Sequence, residues 1–175
     1  MGIRNYLIEG VSGAGKTSVA EELERRGYHV VHGDRKFAYY GDPETGEPAV
    51  WPAFDSEAER IAWGYARWIW PQERVRAIAS DRSYEVTFFC SGARNAHHFI
   101  DLFDGVFVLE VDAETLDRRL RGRGDDEFGG KPAERELVLR LQRTKAGLPA
   151  SALAVDATRS IGQVVDEIVS KCVTG

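Results

Sequence analysis

Cysteine and histidine are scarce in this sequence, and their scarcity limits the disulfide and metal chemistry that it can support. The two cysteines, Cys90 and Cys172, each lie in an apolar run. That setting is typical of buried free thiols, so we expect neither a disulfide nor a cysteine metal framework. His97 and His98 adjoin one another without a further ligand group at metal spacing, so the sequence predicts no zinc site there.

The sequence also lacks the long apolar run and the basic excess that other functional classes need. No stretch approaches the ~18 consecutive apolar residues of a membrane span, and the N-terminus does not have the pattern of a secretory signal. The formal net charge is −5, whereas proteins that neutralise many nucleic-acid phosphates usually carry a basic excess. We therefore expect a cytoplasmic protein that binds neither membranes nor nucleic acids.

Short strand-like runs alternate with longer helical patterns, which is typical of a parallel sheet with crossover helices. The 175 residues and the 43% hydrophobic content fit one domain, residues 1–175. The predicted strands are 6–8, 28–32, 86–90, 106–111 and 153–156. The predicted helices are 17–26, 56–70, 72–79, 113–120, one that begins at 132 and one at the C-terminus. Residues 39–55 contain three prolines and two Gly-containing turns, so we expect a long loop there.

The strongest motif is Gly10-Val11-Ser12-Gly13-Ala14-Gly15-Lys16-Thr17, which has the P-loop spacing Gly-x4-Gly-Lys-Thr. It lies between the first predicted strand and the first predicted helix, where glycine-rich loops turn backbone N–H groups toward phosphate oxygens. Lys16 supplies a cation for the β- and γ-phosphates, and the Thr17 hydroxyl is suited to Mg²⁺. We predict that ATP and Mg²⁺ bind here, although the motif alone leaves GTP open. The predicted contacts are Gly10, Ser12, Gly13, Ala14, Gly15, Lys16, Thr17 and Ser18.

Beyond this loop, the order of motifs resembles that of the small P-loop kinases, which include nucleoside, nucleotide and shikimate kinases and certain antibiotic phosphotransferases. The motifs are the early P-loop, Asp34 directly after the second strand, an arginine-rich segment at 118–123 and the turn Asp156-Ala157-Thr158-Arg159. Cys90-Ser91-Gly92-Ala93-Arg94-Asn95 is similar to a segment of bacterial nucleoside kinase-like proteins.

This resemblance covers nearly the whole chain and has consequences for the fold. It implies a P-loop NTPase fold, a three-layer α/β/α sandwich whose five parallel strands take the order 2-3-1-4-5. It also implies an acceptor-binding region at about 35–80 and a small lid at about 121–131.

Asp34 is the predicted link between the nucleotide and the acceptor. A carboxylate at the C-terminal end of a strand beside the P-loop strand faces the ligand crevice. It can hold Mg²⁺ through water, or orient and deprotonate the acceptor hydroxyl. A purely turn-forming role is the alternative. No Asp-x-x-Gly metal motif follows the third strand, where Ser91-Gly92 stands, so the acid that holds Mg²⁺ is left open.

Three arginines are candidates for contact with the nucleotide. Arg119 and Arg123 match the paired lid arginines of the family, and guanidinium groups stabilise the charge of a transferred phosphoryl group. A solvated face that pairs with neighbouring acids is the alternative. The resemblance places Arg159 beside the adenine ring, where a planar cation can stack. An ordinary surface arginine before the last helix is the alternative.

The sequence is less specific about the residues that bind the acceptor. Trp51 is the candidate aromatic contact because it lies on the long loop, whereas Tyr65 and Trp68 share a helical stripe and are expected in the core. Arg94 is expected at the same crevice, and Asn95 is expected to cap the helix that follows. Basic residues are sparse between 34 and 80, which favours a neutral hydroxyl acceptor over a nucleotide.

These residues favour an ATP-dependent phosphotransferase that moves the γ-phosphoryl group to a hydroxyl of a small molecule, with nucleosides as one class. The predicted catalytic residues are Lys16, Asp34, Arg119 and Arg123. An antibiotic-modifying kinase would differ only in its acceptor, and a nucleotide-switched ATPase or binding module would turn over without one. The oligomeric state is left open between a monomer and a homodimer.

Overall fold

The computed structural model describes residues 3–173, so the first two and last two residues of the predicted domain 1–175 lie outside the described residues. The strands within this range are β1 (Arg4–Glu9), β2 (His29–His32), β3 (Tyr39–Tyr40), β4 (Trp68–Ile69), β5 (Val86–Cys90), β6 (Gly105–Glu110) and β7 (Leu153–Asp156). The helices are α1 (Lys16–Arg25), α2 (Gly33–Lys36), α3 (Glu57–Ala66), α4 (Gln72–Ala79), α5 (Ala113–Arg121), α6 (Pro132–Thr144) and α7 (Ile161–Val173). Two 3₁₀ turns, Ala96–His98 and Ile100–Leu102, precede β6. Over residues 3–173, no helix has both the length and the apolar character needed to cross a membrane.

Five strands form one parallel sheet in the order β2-β5-β1-β6-β7. Since β5, β6 and β7 are the third, fourth and fifth of these strands along the chain, the predicted order 2-3-1-4-5 is confirmed. Helices lie on both faces of the sheet, so the predicted three-layer α/β/α architecture is also confirmed.

The two faces of the sheet bury separate apolar clusters. On one face, Ile8 and Phe88 pack with α1, α5 and α7. On the other, Leu7 and Phe89 pack with Trp70 and α4. Phe88 and Phe89 are fully buried, and burial of a large apolar side chain contributes about 1.5–3 kcal/mol. Neighbouring residues of β5 therefore point into opposite cores, which explains why this strand is apolar on both faces.

Both cysteines are buried free thiols, as the sequence predicts. Burial raises the pKa of Cys90 to about 12 and that of Cys172 to about 11. Because the thiolate is the reactive form, the raised pKa values disfavour reaction near neutral pH, and both side chains pack in the apolar core.

The predicted helix 56–70 is wrong in its last turn. α3 ends at Ala66, and Trp68–Ile69 instead form β4, which pairs antiparallel with β3. The Arg67 carbonyl accepts a hydrogen bond from Gly41 N at 2.9 Å, which extends this small sheet. Pro71 disfavours helical geometry at the residue before it, and the partner strand lies in the segment predicted as irregular. The predicted loop 39–55 is therefore shortened, because its first two residues are paired.

The predicted capping contact of Asn95 is also wrong. Asn95 precedes the first 3₁₀ turn, but its side chain makes no cap hydrogen bond. Its Oδ1 instead accepts from Trp70 N at 3.0 Å, and its Nδ2 donates to Trp70 O at 2.8 Å. Asn95 is only 1% exposed. One buried amide thus satisfies both backbone groups of Trp70 and ties the end of β4 to the segment after β5.

Gly33 packs against the indole of Trp70. A Cβ at position 33 would lie 2.1 Å from Cζ2 of that ring, so no side chain fits without displacing it. The indole is held in turn by Phe99, which stacks at 6.0 Å, and by Phe37, which meets it edge-on at 5.4 Å. This packing fixes the start of α2, whose second residue is Asp34.

We expect Asn95→Ala to destabilise the protein by about 1–3 kcal/mol for each Trp70 backbone group left buried without a partner. Urea unfolding followed by circular dichroism measures the loss. Arg74→Ala, on the exposed face of α4, is the control and should stay within about 0.5 kcal/mol of wild type. Equal stability of the two variants would contradict the bracing role of Asn95.

Candidate active site

The loop between β1 and α1 has the geometry of a phosphate cradle. Gly13 and Gly15 have φ angles of 87° and 109°, in the left-handed region that residues with a Cβ rarely adopt. Turns of this kind direct successive backbone N–H groups toward one concave side. Gly15 directly precedes α1, whose N-terminus adds partial positive charge. The loop can therefore bind an anion such as a phosphate chain.

Lys16 folds back over this loop. Its Nζ donates to the carbonyl of Gly10 and, at 3.0 Å, to that of Val11. Burial lowers the pKa of Lys16, and the carboxylates of Asp34 and Glu9 oppose the shift. The amine thus lies at the edge of the loop near two carboxylates, where it can exchange its carbonyl partners for phosphate oxygens.

A cavity of about 590 Å³ opens beside the loop. Its lining contains most of the residues predicted to bind the nucleotide: Ser12, Gly13, Ala14, Gly15, Lys16, Thr17, Ser18, Arg119 and Arg159. Gly10 belongs to the same predicted set but lies on the wall of a second cavity.

Arg119, on α5, and Arg159, which follows β7, both line this cavity. Arg119 Nη2 donates to the carbonyl of Ala157 at 3.0 Å, and its Nη1 lies 3.3 Å from the carbonyl of Ala14. Arg119 therefore links the P-loop to the turn after β7. Arg159 pairs with Glu167 of α7, which holds its guanidinium on the cavity wall.

Arg123 reaches the loop from the segment after α5. It donates to Ser12 Oγ at 2.6 Å and to the carbonyl of Phe128. Arg121 instead pairs with Asp117 at 2.7 Å and does not line the cavity. Within the arginine-rich segment, Arg119 and Arg123 thus face the P-loop, whereas Arg121 lies on the solvated face.

Asp34 lines both cavities. Its Oδ1 accepts a hydrogen bond from Trp68 Nε1 at 2.7 Å, and its Oδ2 accepts one from Ser91 Oγ. The two donors fix the orientation of the carboxylate. The expectation that Trp68 is a core residue is wrong, because β4 rather than α3 carries it and turns its indole N–H toward Asp34.

Ser91 takes an unusual backbone conformation directly after β5. Its φ of 127° lies in a region that residues with a side chain rarely adopt, and such a conformation costs about 1–3 kcal/mol. The side chain is buried and reaches Asp34 from this position. Strain of this kind is typical of sites where the surrounding structure fixes a functional geometry.

Oxygen donors suited to Mg²⁺ lie on the wall of the first cavity. The Thr17 hydroxyl and the Asp34 carboxylate both line it. Mg²⁺ prefers hard oxygen ligands and is usually held by one or two carboxylates together with phosphates and water. The donor set therefore fits Mg²⁺.

Glu9 is a site residue that the sequence analysis misses. It is the last residue of β1 and is 3% exposed. Burial raises its pKa, while Arg94 and Lys16 oppose the shift. A Cβ on Gly92 would lie 3.2 Å from its carboxyl carbon, so the group is packed tightly. The sequence feature that could have identified Glu9 is that it is a lone acid at the end of an apolar strand, directly before the P-loop.

The second cavity, of about 350 Å³, lies between Asp34 and side chains of the segment 40–68. Trp51 and Arg94, the predicted acceptor contacts, both line it. Arg94 Nη1 donates to Tyr65 Oη at 2.6 Å, and its guanidinium carbon lies 4.5 Å from the centre of that ring. The expectation that Tyr65 is a core residue is therefore wrong, because α3 turns its side chain toward the cavity.

Trp51 belongs to an aromatic wall of this cavity. Its ring is 42% exposed and meets Tyr40 edge-on at 4.9 Å and Trp63 at 4.7 Å. Arg94 Nε is buried and has no hydrogen-bond partner among the described residues. Aromatic faces with a few polar groups are suited to a ring-shaped ligand that carries hydrogen-bonding groups.

Solved structures with this fold include several small P-loop kinases. Shikimate kinase from Acinetobacter baumannii, in complex with shikimate, has a TM-score of 0.60 and 16% identity over 98% of this chain and 94% of its own. A gluconokinase from Sinorhizobium meliloti 1021 has a TM-score of 0.53 and 21% identity over 95% and 90%. Deoxyadenosine kinase from M. mycoides with bound dATP has a TM-score of 0.51 and 15% identity over 95% and 98%. At the level of the fold, the resemblance to small P-loop kinases is confirmed.

The comparison with family models extends this likeness to the sequence. A search of curated proteins finds no match to the chain. A family model described as AAA domain (AAA_18) matches residues 7–138. That stretch runs from β1 through the P-loop, Asp34, Arg94 and both cavity-lining arginines of the segment 118–123 into α6. Since the match covers well over half of the sequence, the chain belongs to the AAA domain family.

Proposed function

We propose that this protein transfers the γ-phosphoryl group of ATP to a hydroxyl group of a small neutral molecule, with nucleosides as the first class to test. The observation that carries this proposal is that the two cavities meet at Lys16 and Asp34, which line both. A donor in the first cavity and an acceptor in the second would face each other across these side chains. Such an arrangement suits transfer between two bound molecules, because it fixes their relative position.

The first cavity would hold ATP and Mg²⁺. Backbone N–H groups of the P-loop and the Ser18 side chain would contact the phosphates, and Lys16 would pair with the β- and γ-phosphates. Thr17 would supply an oxygen ligand of Mg²⁺, and Asp34 would hold the ion through water. When bound, the ion neutralises charge on the phosphates. Arg159 would border the base of the nucleotide.

Asp34 would position the acceptor hydroxyl at the junction of the cavities. Trp68 and Ser91 hold its two oxygens, so the carboxylate presents a fixed face. As the acceptor oxygen bonds to the γ-phosphorus, its proton passes to the carboxylate, and the bond to the β–γ bridging oxygen breaks to release ADP. Arg119 and Arg123 would stabilise the charge that develops on the transferred group.

The charges in the second cavity support a neutral acceptor. Arg60 and Arg94 are the two arginines on its wall. Arg94 donates to Tyr65 Oη at 2.6 Å and lowers the pKa of Glu9 against the effect of burial, and Arg60 lies 3.7 Å from Glu57 Oε1. Both guanidinium groups thus have partners in the protein, so neither requires an anionic ligand. Trp51 and Tyr40 offer aromatic faces to a ring. An antibiotic acceptor would use the same chemistry, so antibiotics belong in the same screen as nucleosides and sugars.

In this proposal, residues 121–131 form a lid and residues 35–80 form the acceptor-binding region. Phe128, which is 41% exposed, lies on the walls of both cavities. Its carbonyl accepts hydrogen bonds from Arg123 and, at 3.0 Å, from Ser12 Oγ. Closure of this segment over bound ATP would exclude water from the phosphates and so suppress hydrolysis.

Asp34→Asn should reduce acceptor-dependent ADP release by about 10²–10⁴-fold, because it removes the proton acceptor, while ATP binding is retained. The assay is a screen of nucleosides, sugars and antibiotics, with Lys16→Ala as the blank and ATP affinity measured by calorimetry. Asp101→Asn, an exposed acid outside both cavities, is the matched control.

Two outcomes of this screen would oppose the proposal. Loss of ATP binding in Asp34→Asn would assign Asp34 a structural role instead of an acceptor role. ADP release that no acceptor in the panel accelerates would favour a nucleotide-switched ATPase.

Arg123→Ala should lower the turnover number by about 10²–10³-fold, the typical cost of removing one preorganised donor to transition-state charge. Arg121→Ala is the matched control, because Arg121 pairs with Asp117 outside the cavity and should leave turnover near wild type. Steady-state kinetics of both variants give the comparison. A similar loss in both would mean that the segment acts through its overall charge.

Glu9 gives a pH-dependent prediction that needs no substrate. Because burial raises its pKa, the folded chain keeps the Glu9 proton at pH values where the unfolded chain, near the ordinary pKa of 4.5, has released it. The stability that Glu9 contributes is therefore fully present below that ordinary value and is lost as the pH rises through the raised folded pKa.

Urea unfolding of wild type and Glu9→Gln across this range tests the sign. Wild type should lose stability relative to the variant as the pH rises from the ordinary Glu pKa toward neutrality. A difference between the two proteins that stays constant with pH would show that Glu9 ionises in the fold as easily as in water.

A further inference from the structure

A cluster of two histidines and one glutamate lies outside both cavities, where the loop after β3 meets the first 3₁₀ turn. His97 Nε2 lies 3.2 Å from Glu44 Oε1, and His98 Nε2 lies 3.7 Å from Glu44 Oε2. One ligand atom from each residue lies within 4.8 Å of the other two. Among residues 3–173, no other three His, Cys, Asp or Glu side chains come together in this way.

Local structure holds these three side chains together. Asp42 Oδ1 accepts from the backbone N–H groups of Glu44 and Thr45 at 2.9 Å each, which fixes the turn that carries Glu44. The rings of His97 and His98 lie 4.1 Å apart between their centres. No further ligand group lies at metal spacing beside His97 and His98 in the sequence, so the chain order alone predicts no zinc site here. The fold brings in Glu44, which is distant along the chain, as the third group.

We propose that Glu44, His97 and His98 bind a divalent transition-metal ion, with Zn²⁺ the best fit. Imidazole nitrogen and carboxylate oxygen are common zinc ligands at about 2.0–2.2 Å. Two ligands at that distance from a tetrahedral centre lie roughly 3.3–3.6 Å apart. The Glu44 oxygens lie 3.2 and 3.7 Å from the two histidine nitrogens, which is close to that spacing. Mg²⁺ demands oxygen ligands, so two imidazoles select against it.

The Pro43 carbonyl completes the polar surroundings of the site. His98 Nε2 lies 3.1 Å from this oxygen and donates to it when the ring carries its proton on Nε2. Metal binding takes the other tautomer, with the proton on Nδ1 and the Nε2 lone pair facing the ion. Either the Pro43 carbonyl or a water molecule then serves as the fourth ligand.

A metal ion at this site would link, from outside the second cavity, two segments that lead to residues of its lining. The loop that carries Glu44 starts next to Tyr40, and the 3₁₀ turn with His97 follows shortly after Arg94. Tyr40 and Arg94 both line the second cavity. The site would therefore brace that cavity as a structural cross-link. It does not depend on phosphoryl transfer, so its test is separate from that of the proposed function.

Calorimetric titration of the full chain with Zn²⁺ in excess Mg²⁺ tests the proposal. We expect one Zn²⁺ per chain in wild type. Mutation of a residue that only hydrogen-bonds to a metal ligand typically lowers metal affinity by roughly 10–100-fold. His97→Ala/His98→Ala removes two ligands themselves, so its Zn²⁺ affinity should fall by more than that. Glu44→Gln should weaken binding as well. His32→Ala is the matched control, because His32 faces Glu24 at 3.0 Å without a second imidazole, and it should bind Zn²⁺ like wild type.

Thermal unfolding gives a second readout. Zn²⁺ should raise the Tm of wild type and of His32→Ala but not that of the double variant, because an ion that binds only the folded state stabilises it. Glu44 and His97 are exposed and His98 is half-buried, and circular dichroism of each variant checks that it folds. Absence of Zn²⁺ binding, or equal affinity in wild type and in His97→Ala/His98→Ala, would overturn the proposal.

Discussion

The parallel alignment of β2, β5 and β1 determines where the candidate chemistry of this protein lies. Ile8 pairs with Cys90, and Cys90 pairs with His32, so these three residues lie side by side near the carboxyl ends of their strands. The next residues along the chain are Glu9, which ends β1, Ser91 and Gly33. This is the edge at which parallel α/β sheets bind ligands, outside the carboxyl ends of their strands. Backbone pairing in the sheet thus gathers acidic and hydroxyl groups around Lys16.

That edge contains groups that folding alone does not favour. Burial raises the pKa of Glu9 and lowers that of Lys16, which means that both charges are kept partly out of water at a cost in free energy. Ser91 adds an unfavourable backbone conformation. The apolar clusters on the two faces of the sheet offset these costs. Concentrated unfavourable terms of this kind are typical of functional sites, because the same groups that resist burial are the ones that act on a charged substrate.

The P-loop region and the parallel sheet could be predicted from the sequence because the patterns that indicate them are local. The first strand, the glycine loop and α1 are contiguous in the sequence, and each short apolar run predicts one strand of the sheet. The second cavity, the proposed acceptor site, depends on contacts between distant and very short segments. β3 and β4 have two residues each and leave no periodicity, yet their pairing takes Trp68 out of the predicted helix and brings it to Asp34. Asn95 occupies a capping position locally, but its partner Trp70 lies before β5.

The packing of Gly33 against Trp70 limits how this protein can diversify. Trp51, on the wall of the second cavity, belongs to a loop and is 42% exposed, so it can change without disturbing the core. If the acceptor binds in that cavity, as proposed, single substitutions there can alter the acceptor preference. Position 33 has no such freedom, because any side chain would displace the indole and the start of α2 with it. The lining of the second cavity can therefore vary, whereas position 33 must lack a Cβ so that Trp70 and Asp34 stay in place.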